Sequence, residues 1–283
     1  MSSIARQTIV IERRFHGPPE SGHGGYTCGL LARETEGAAQ VSLRSPAPLE
    51  RPLTLERDDD ERLLLRDGGT VVADAQPTTL ELDPPPHVEL ADAQAASSRC
   101  LGFTHHPFPT CFGCGPNRPE GDGLRLFPGP VEDRDVVACV WRPDPGLAHG
   151  AGKVRPEFAW AALDCPTAFA CDPDGTPIVL ARLTGRIDKA LRANEQLVIT
   201  AWRIGTDRRK QHSACVISTA DGETLATSKA LWIAPQESST FGAATNSSAK
   251  QKARRSCFAR GTSISHARTS DPLSAGSETR LPP

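Results

Sequence analysis

The stretch Lys153–Cys171, KVRPEFAWAALDCPTAFAC, sets a single acid, Asp164, inside an apolar run. Pro156 suits a first helical turn, where its missing N–H is not needed, and Glu157 sits well near the positive end of a helix dipole. Phe158, Ala162, Cys165 and Phe169 recur at helical spacing and make one apolar face. Trp160, Asp164 and Thr167 fall on the adjoining face. The pattern therefore predicts one buried helix. Pro166 is its discordant residue: it cannot donate to the carbonyl of Ala162, so the helix is expected to kink or end near that point. A carboxylate among Trp, Ala and Leu is costly to bury unless it is paired or used.

Working outward, DVVACVWRP before this stretch reads as a strand, and VLARLTGRID, QLVITAWRI, QHSACVIST and TLATSKALWIA after it read as four more. Asp221-Gly222 marks the turn between the last two. The same order occurs upstream. ARQTIVIERR reads as a strand, HGPPESGHGG as a loop, and YTCGLLARET as a helix whose N-terminus is Gly24-Gly25. VSLRSP, PLTLERD, RLLLRDGG and TVVADAQPT follow as strands, with Asp67-Gly68 as a hairpin turn. The repeated order predicts two fused copies of one α+β unit, not a solenoid, and the short turns predict antiparallel sheets. The expected units are residues 1–92 and 124–235. Residues 93–123 read as a linker and Cys-containing lead-in loop rich in Pro, Gly and small residues. Residues 236–283 lack hydrophobic periodicity and read as a disordered tail.

Composition narrows the function classes. A hydrophobic content of 38% over 283 residues supports a core. There is no apolar run of 18 residues, so no transmembrane helix is expected, and the charged N-terminal segment is not a secretory signal. Nine cysteines, mostly in apolar segments, fit reduced thiols in a cytoplasmic protein better than a disulfide framework. A net charge of −2 gives no strong pull toward nucleic acid or a membrane. Charge is uneven: residues 1–92 carry 9 basic and 16 acidic side chains and residues 236–283 carry 7 and 3, so a basic tail that binds a partner is an alternative to plain disorder.

His23-Gly24-Gly25 followed by YTCGLLA resembles the HGG-xxxx-L motif that opens the central helix of phenylacetyl-CoA-type and related acyl-CoA thioesterases. Cys111-Phe112-Gly113-Cys114-Gly115 followed by Gly123-Leu124-Arg125-Leu126 is similar to the lead-in segment of many such proteins, and TLATSKALWIA looks like their last strand. The resemblance covers roughly residues 5–235. It implies a double hotdog: two antiparallel sheets, each wrapped on a central helix, which share a pseudo-continuous sheet with the helices packed on one side. It also implies hydrolysis of an acyl-CoA or acyl-carrier thioester without a cofactor, with a homodimer of two such units as a further option.

In that family, backbone amides at the helix N-terminus polarise the thioester carbonyl, and a carboxylate from the partner helix activates water or attacks directly. The acid lies nine residues after the His of HGG. Nine residues after His23 stands Ala32, so the first half lacks the acid. Nine residues before Asp164 stands Arg155, so Arg155-Pro156-Glu157 replaces HGG in the second half, and Pro156 has no N–H to offer. The two losses are complementary. The resemblance therefore implies one composite site, with His23, Gly24 and Gly25 facing Asp164, and one dead site. Thr27, Trp160, Thr167 and Arg182 are the expected substrate-binding residues, with Arg182, Arg186 and Lys189 placed to meet CoA phosphates.

Several alternatives stand beside this reading. His149-Gly150-Ala151 also resembles HGG, but nine residues past His149 is Phe158. Asp164 could be a structural acid, His23 a loop residue bonding local backbone, Thr27 and Thr167 backbone-bonded within their helices, and Trp160 part of the core. The charged trio after the second helix could be a solvated strand edge. Cys111-x-x-Cys114, with Cys100, His105 and His106 nearby, invites a zinc reading, but the paired spacing of zinc motifs is missing, so buried thiols without metal are expected. The rival functions are a non-catalytic acyl-thioester binder and a hotdog enoyl-thioester hydratase or dehydratase. The latter needs an acid–His pair, available only if Asp164 faces His23 or His149 across the halves.

Overall fold

The computed structural model describes residues 6–171 and 177–234; the tail expected at 236–283 lies outside the described residues. In the first half, β1 (Gln7–Val10) is followed by α1 (Gly24–Ala32), β2 (Ala39–Leu43), β3 (Pro52–Arg57), β4 (Leu63–Asp67) and β5 (Thr70–Pro77). Next come α2 (Leu90–Ser98) and a two-residue strand, β6 (Gly129–Pro130). The second half runs β7 (Val137–Trp141), a short hairpin of β8 (Ala148–His149) and β9 (Lys153–Val154), α3 (Pro156–Ala162) and α4 (Cys165–Cys171). It ends with β10 (Val179–Ile187), β11 (Leu197–Asp207), β12 (Lys210–Thr219) and β13 (Thr224–Ile233).

These strands form one antiparallel sheet in the order β1-β3-β4-β5-β2-β10-β13-β12-β11-β7-β6. The first half contributes β1-β3-β4-β5-β2. Read inward from its own edge, the second contributes β7-β11-β12-β13-β10, which is the same succession element for element. The two sheets of the double hotdog are one continuous sheet: β2 and β10 pair antiparallel, with Val41 opposite Leu183, and join the halves. Both seam residues are fully buried. An open edge there would have left apolar side chains and a row of backbone groups unpaired.

The 93–123 linker is corrected here. Its first residues belong to α2, which starts at Leu90 and packs Ala93 and Ala96 against Val131, Ala138 and Val198. The Ala/Ser run reads as a boundary by composition, yet alanine is the best helix former.

The predicted single helix over 153–171 is two helices. Lys153 and Val154 belong to β9, and α3 ends at Ala162, four residues before Pro166. The carbonyl freed at Leu163 accepts from Ser228 Oγ at 3.1 Å. The break also divides the expected apolar face. Phe158 and Ala162 join the main core, whereas Cys165 joins Cys111 and Cys114 in a separate cluster with Phe169 against it.

Helices α1 and α3 pack antiparallel with almost no space between their backbones. A Cβ on Gly25 would lie 2.5 Å from Asp164 Cβ and 2.6 Å from the Trp160 carbonyl oxygen. A Cβ on Gly29 would lie 2.5 Å from Glu157 Cα. Advancing four residues along α1 thus means retreating along α3, and this register carries Asp164 to the N-terminus of α1.

Candidate active site

The start of α1 is where the halves meet chemically. The Gly25 N–H donates to Asp164 Oδ2 at 2.6 Å, joining residues 139 apart in the chain. His23 is the N-cap: its Nδ1 accepts the Tyr26 N–H at 3.2 Å and lies 3.4 Å from the same Asp164 oxygen. Gly24 is adjacent, since a Cβ there would fall 3.3 Å from Asp164 Oδ2 and 2.9 Å from Leu180 Cδ2. The expected quartet of His23, Gly24, Gly25 and Asp164 is therefore together.

His23 is 2% exposed and Asp164 3%. Burial pushes the Asp164 carboxyl up to about 6, against the pull of His23 and the Gly25 N–H bond. For His23, burial acts to lower the imidazole, but the nearby Cys111 and Asp164 outweigh it and the net shift is upward. Asp164 Oδ1 is buried and has no hydrogen-bond partner among the described residues. Such an orphaned oxygen is rare in a folded interior, because it forfeits its hydration without return.

The other expected residues are engaged by the protein itself. Thr27 Oγ1 donates to the His23 carbonyl at 3.0 Å. Thr167 Oγ1 donates to the Asp164 carbonyl at 2.6 Å and accepts from Trp232 Nε1 at 2.9 Å. Trp160 is buried, its ring lying 3.0 Å from where a Cβ on Gly185 would be. Arg182 stands outside this set, exposed on β10. Arg186 pairs with Asp188 at 2.6 Å and Lys189 with Glu223, so neither is an uncommitted cation. His149-Gly150-Ala151 is not a second helix start: His149 is exposed in the β8–β9 hairpin, opposite Lys153.

The lead-in loop reaches the same place. The Phe112 N–H bonds the His16 carbonyl at 2.8 Å and the Leu126 N–H bonds the Gly113 carbonyl at 2.9 Å, which lays CFGCG beside His23. His23 Nε2 is 3.1 Å from Cys165 Sγ, and Cys111 Sγ is 3.9 Å from the same sulfur. Cys114 packs with Cys111 and Cys165 in one buried cluster. These neighbours, Cys114 first and then Cys165, draw the Cys111 thiol well below its usual range. His106 Nε2 lies 3.2 Å from Cys114 Sγ, on the flank of the group. Cys165 and His23 are the members that sequence reading missed. The signal was the CxxC itself, but its partners lie 54 residues after and 88 residues before Cys111 and belong to other elements.

No family model matches the chain, and no curated protein matches it. Solved structures do. A tesB protein from Mycobacterium avium subsp. paratuberculosis superposes with a TM-score of 0.54 at 13% identity, over 83% of this chain and 96% of that one. An acyl-CoA thioesterase II from Mycobacterium marinum gives 0.51 at 13%, over 84% and 96%. A conserved protein with the hot dog fold from Alicyclobacillus acidocaldarius gives 0.52 at 14%, over 83% and 95%. The fold is the hotdog fold. At these identities the likeness carries architecture, and function has to be argued from the site. No described helix is long and apolar enough to cross a membrane.

Proposed function

We propose that the chain is a fused double hotdog, with units at 1–92 and 124–235 joined by 93–123, that hydrolyses an acyl-CoA or related acyl thioester at one composite site. The observation that carries this reading is the 2.6 Å bond between Asp164 of one half and the Gly25 amide at the helix start of the other. In this mechanism the entering thioester carbonyl takes the Gly25 N–H in place of Asp164 Oδ2, so the amide stabilises the oxyanion as it forms. The released carboxylate, already lacking a partner at Oδ1, takes a proton from water. The water oxygen adds to the carbonyl carbon, the C–S bond breaks, and the proton passes to the departing thiolate. His23 acts as a positioning residue: its Nδ1 caps the helix through the Tyr26 N–H, which fixes the helix start that carries the Gly25 amide. Arg182 is the remaining candidate for a CoA phosphate.

The second site is dead on the same spacing rule. Glu157 occupies the position equivalent to Gly25, and its carboxylate lies 3.8 Å from Arg155 and 4.0 Å from Arg33. Pro156 has no N–H for a carbonyl there, and Ala32 stands where the acid would be.

One observation favours a second reading. His23 and Asp164 do face each other across the halves at 3.4 Å, as an enoyl-thioester hydratase would need. Against it, both ring nitrogens of His23 are already turned to protein groups, Nδ1 to Tyr26 and Nε2 to Cys165. The test is a panel of saturated and enoyl acyl-CoA substrates assayed for free thiol and for loss of enoyl absorbance. Hydrolysis requires thiol release that falls at least ~100-fold in Asp164→Asn, the scale of a lost general base. Unchanged turnover in that variant rejects the mechanism; substrate binding without turnover by the parent chain identifies a thioester-binding protein instead.

A further inference from the structure

Cys111, Cys114 and Cys165 have no task in the hydrolysis just described, and His23 turns its other ring nitrogen, Nε2, toward them. These ligand atoms are arranged for coordination. His23 Nε2 and the sulfurs of Cys111 and Cys165 all lie within 4.8 Å of one another. Zinc bonds of about 2.3 Å to sulfur and 2.0 Å to nitrogen give a tetrahedron with edges of roughly 3.5–3.8 Å. The separations of 3.1 and 3.9 Å bracket that range, so a shift of a few tenths of an ångström closes the polyhedron. Cys114, the other half of the CxxC, packs in the same buried cluster but its sulfur stands outside that 4.8 Å group, so it takes the fourth vertex by a side-chain rotation away from His106.

Three further features suit a metal. All four residues are buried, so solvent does not compete for a vertex. Gly113, between the two loop cysteines, has no side chain where one would block the centre: a Cβ there would stand 2.5 Å from Cys165 Sγ and 2.7 Å from His23 Nε2. His23 Nδ1 accepts the Tyr26 N–H at 3.2 Å, which fixes the ring with Nε2 turned to the sulfurs. Arg118, buried and close enough to His23 to bear on its charge, offsets the net negative charge of three thiolates and one imidazole on Zn2+.

We propose that Cys111, Cys114, Cys165 and His23 form a closed structural zinc site that pins the lead-in loop to α4 and to the N-cap of α1. A Cys3His set is a structural zinc set, with no open vertex for water or substrate. This replaces the metal-free reading drawn from spacing alone, which looked to Cys100, His105 and His106. Cys100 is absent from the thiol group, His105 is exposed, and His106 meets only Cys114. The proposal does not depend on the thioester reading, because its readout is metal and not turnover.

The test uses the full chain, purified under reducing conditions. Elemental analysis is expected to find about one zinc per chain. Cobalt(II) added to the zinc-free chain is expected to give the intense visible bands of tetrahedral thiolate-bound cobalt, reversed by one equivalent of zinc. Outer partners of a metal site cost 10–100-fold in affinity, so Cys111→Ser, Cys165→Ser and His23→Ala are each expected to weaken zinc by at least ~100-fold. His106→Ala and Cys100→Ser are expected to keep it. The cobalt spectrum of the parent chain keeps the proposal testable if a ligand variant fails to fold. The proposal is overturned by a folded, reduced parent chain that binds neither ion, by a Cys111–Cys165 disulfide in the native protein, by an iron–sulfur chromophore, or by zinc that survives His23→Ala and is lost in His106→Ala.

Discussion

Gly29→Ala tests the helix pairing that delivers Asp164. In an exposed helix this change stabilises by about 1 kcal/mol, because alanine loses less backbone entropy than glycine. Here the new methyl would lie 2.5 Å from Glu157 Cα, 2.9 Å from Trp160 Cβ and 3.1 Å from the Glu157 carbonyl oxygen. Carbon atoms pack at about 3.5–4.0 Å, so α3 has to withdraw by roughly 1 Å. The obstruction is mostly backbone and cannot rotate away, which puts the overpacking cost near the upper end of the usual range, ~3 kcal/mol. Subtracting the propensity gain leaves a loss of ~2 kcal/mol. For a folded unit of this size that is a fall in Tm of about 4–8 °C. Thermal melts and urea titrations of the two proteins measure it directly. A variant that melts at or above the parent refutes the close antiparallel packing of α1 on α3, and with it the register that brings Asp164 to Gly25.

Two other contacts at the helix break give sharper local tests. Ser228→Ala removes the donor to the Leu163 carbonyl and leaves that buried oxygen unpaired, with an expected loss of about 1–3 kcal/mol in urea titration; a loss under ~0.5 kcal/mol would mean the carbonyl finds another donor. Trp232→Phe deletes the indole N–H bond to Thr167 while keeping most of the ring, and should cost about 1–2 kcal/mol, seen as a lower urea midpoint at unchanged m-value. No change in midpoint would show that the bond contributes nothing to holding α4 on β13.

Much of the architecture was legible because it is written in local pattern. Alternation and turn residues located the strands around Asp67-Gly68 and Asp221-Gly222, and the repeated element order anticipated the matching strand successions. Pro166 announced the break between α3 and α4 through its missing donor. The nine-residue spacing that the family resemblance implies sets Asp164 against the HGG-like start, and the two lie together at the Gly25 amide. What was misread was equally specific. Gly25 and Gly29 were not recognised as a four-residue small-residue stripe for helix contact, since only the first looked catalytic. Thr27, Trp160 and Thr167 face the right region, but their polar atoms and surfaces are consumed by carbonyls, an indole and a glycine on other strands. The CxxC lacks the paired spacing of zinc motifs, and the groups that join it, Cys165 and His23, are distant in the chain.

The sequence by itself determined the elements, their order, the helix break and the identity of the one acid beside the HGG-like start, because periodicity, capping and proline chemistry act over a few residues. The tertiary structure alone decided that the sheets join through β2 and β10 and that Cys165 and His23 join Cys111 and Cys114. The contacts of Cys165 with Cys111 and His23 span 54 and 142 positions. Nothing in a local pattern encodes them. They follow from burying two helices against one continuous sheet at backbone contact, which fixes the register between α1 and α3 and leaves the lead-in loop one place to pack.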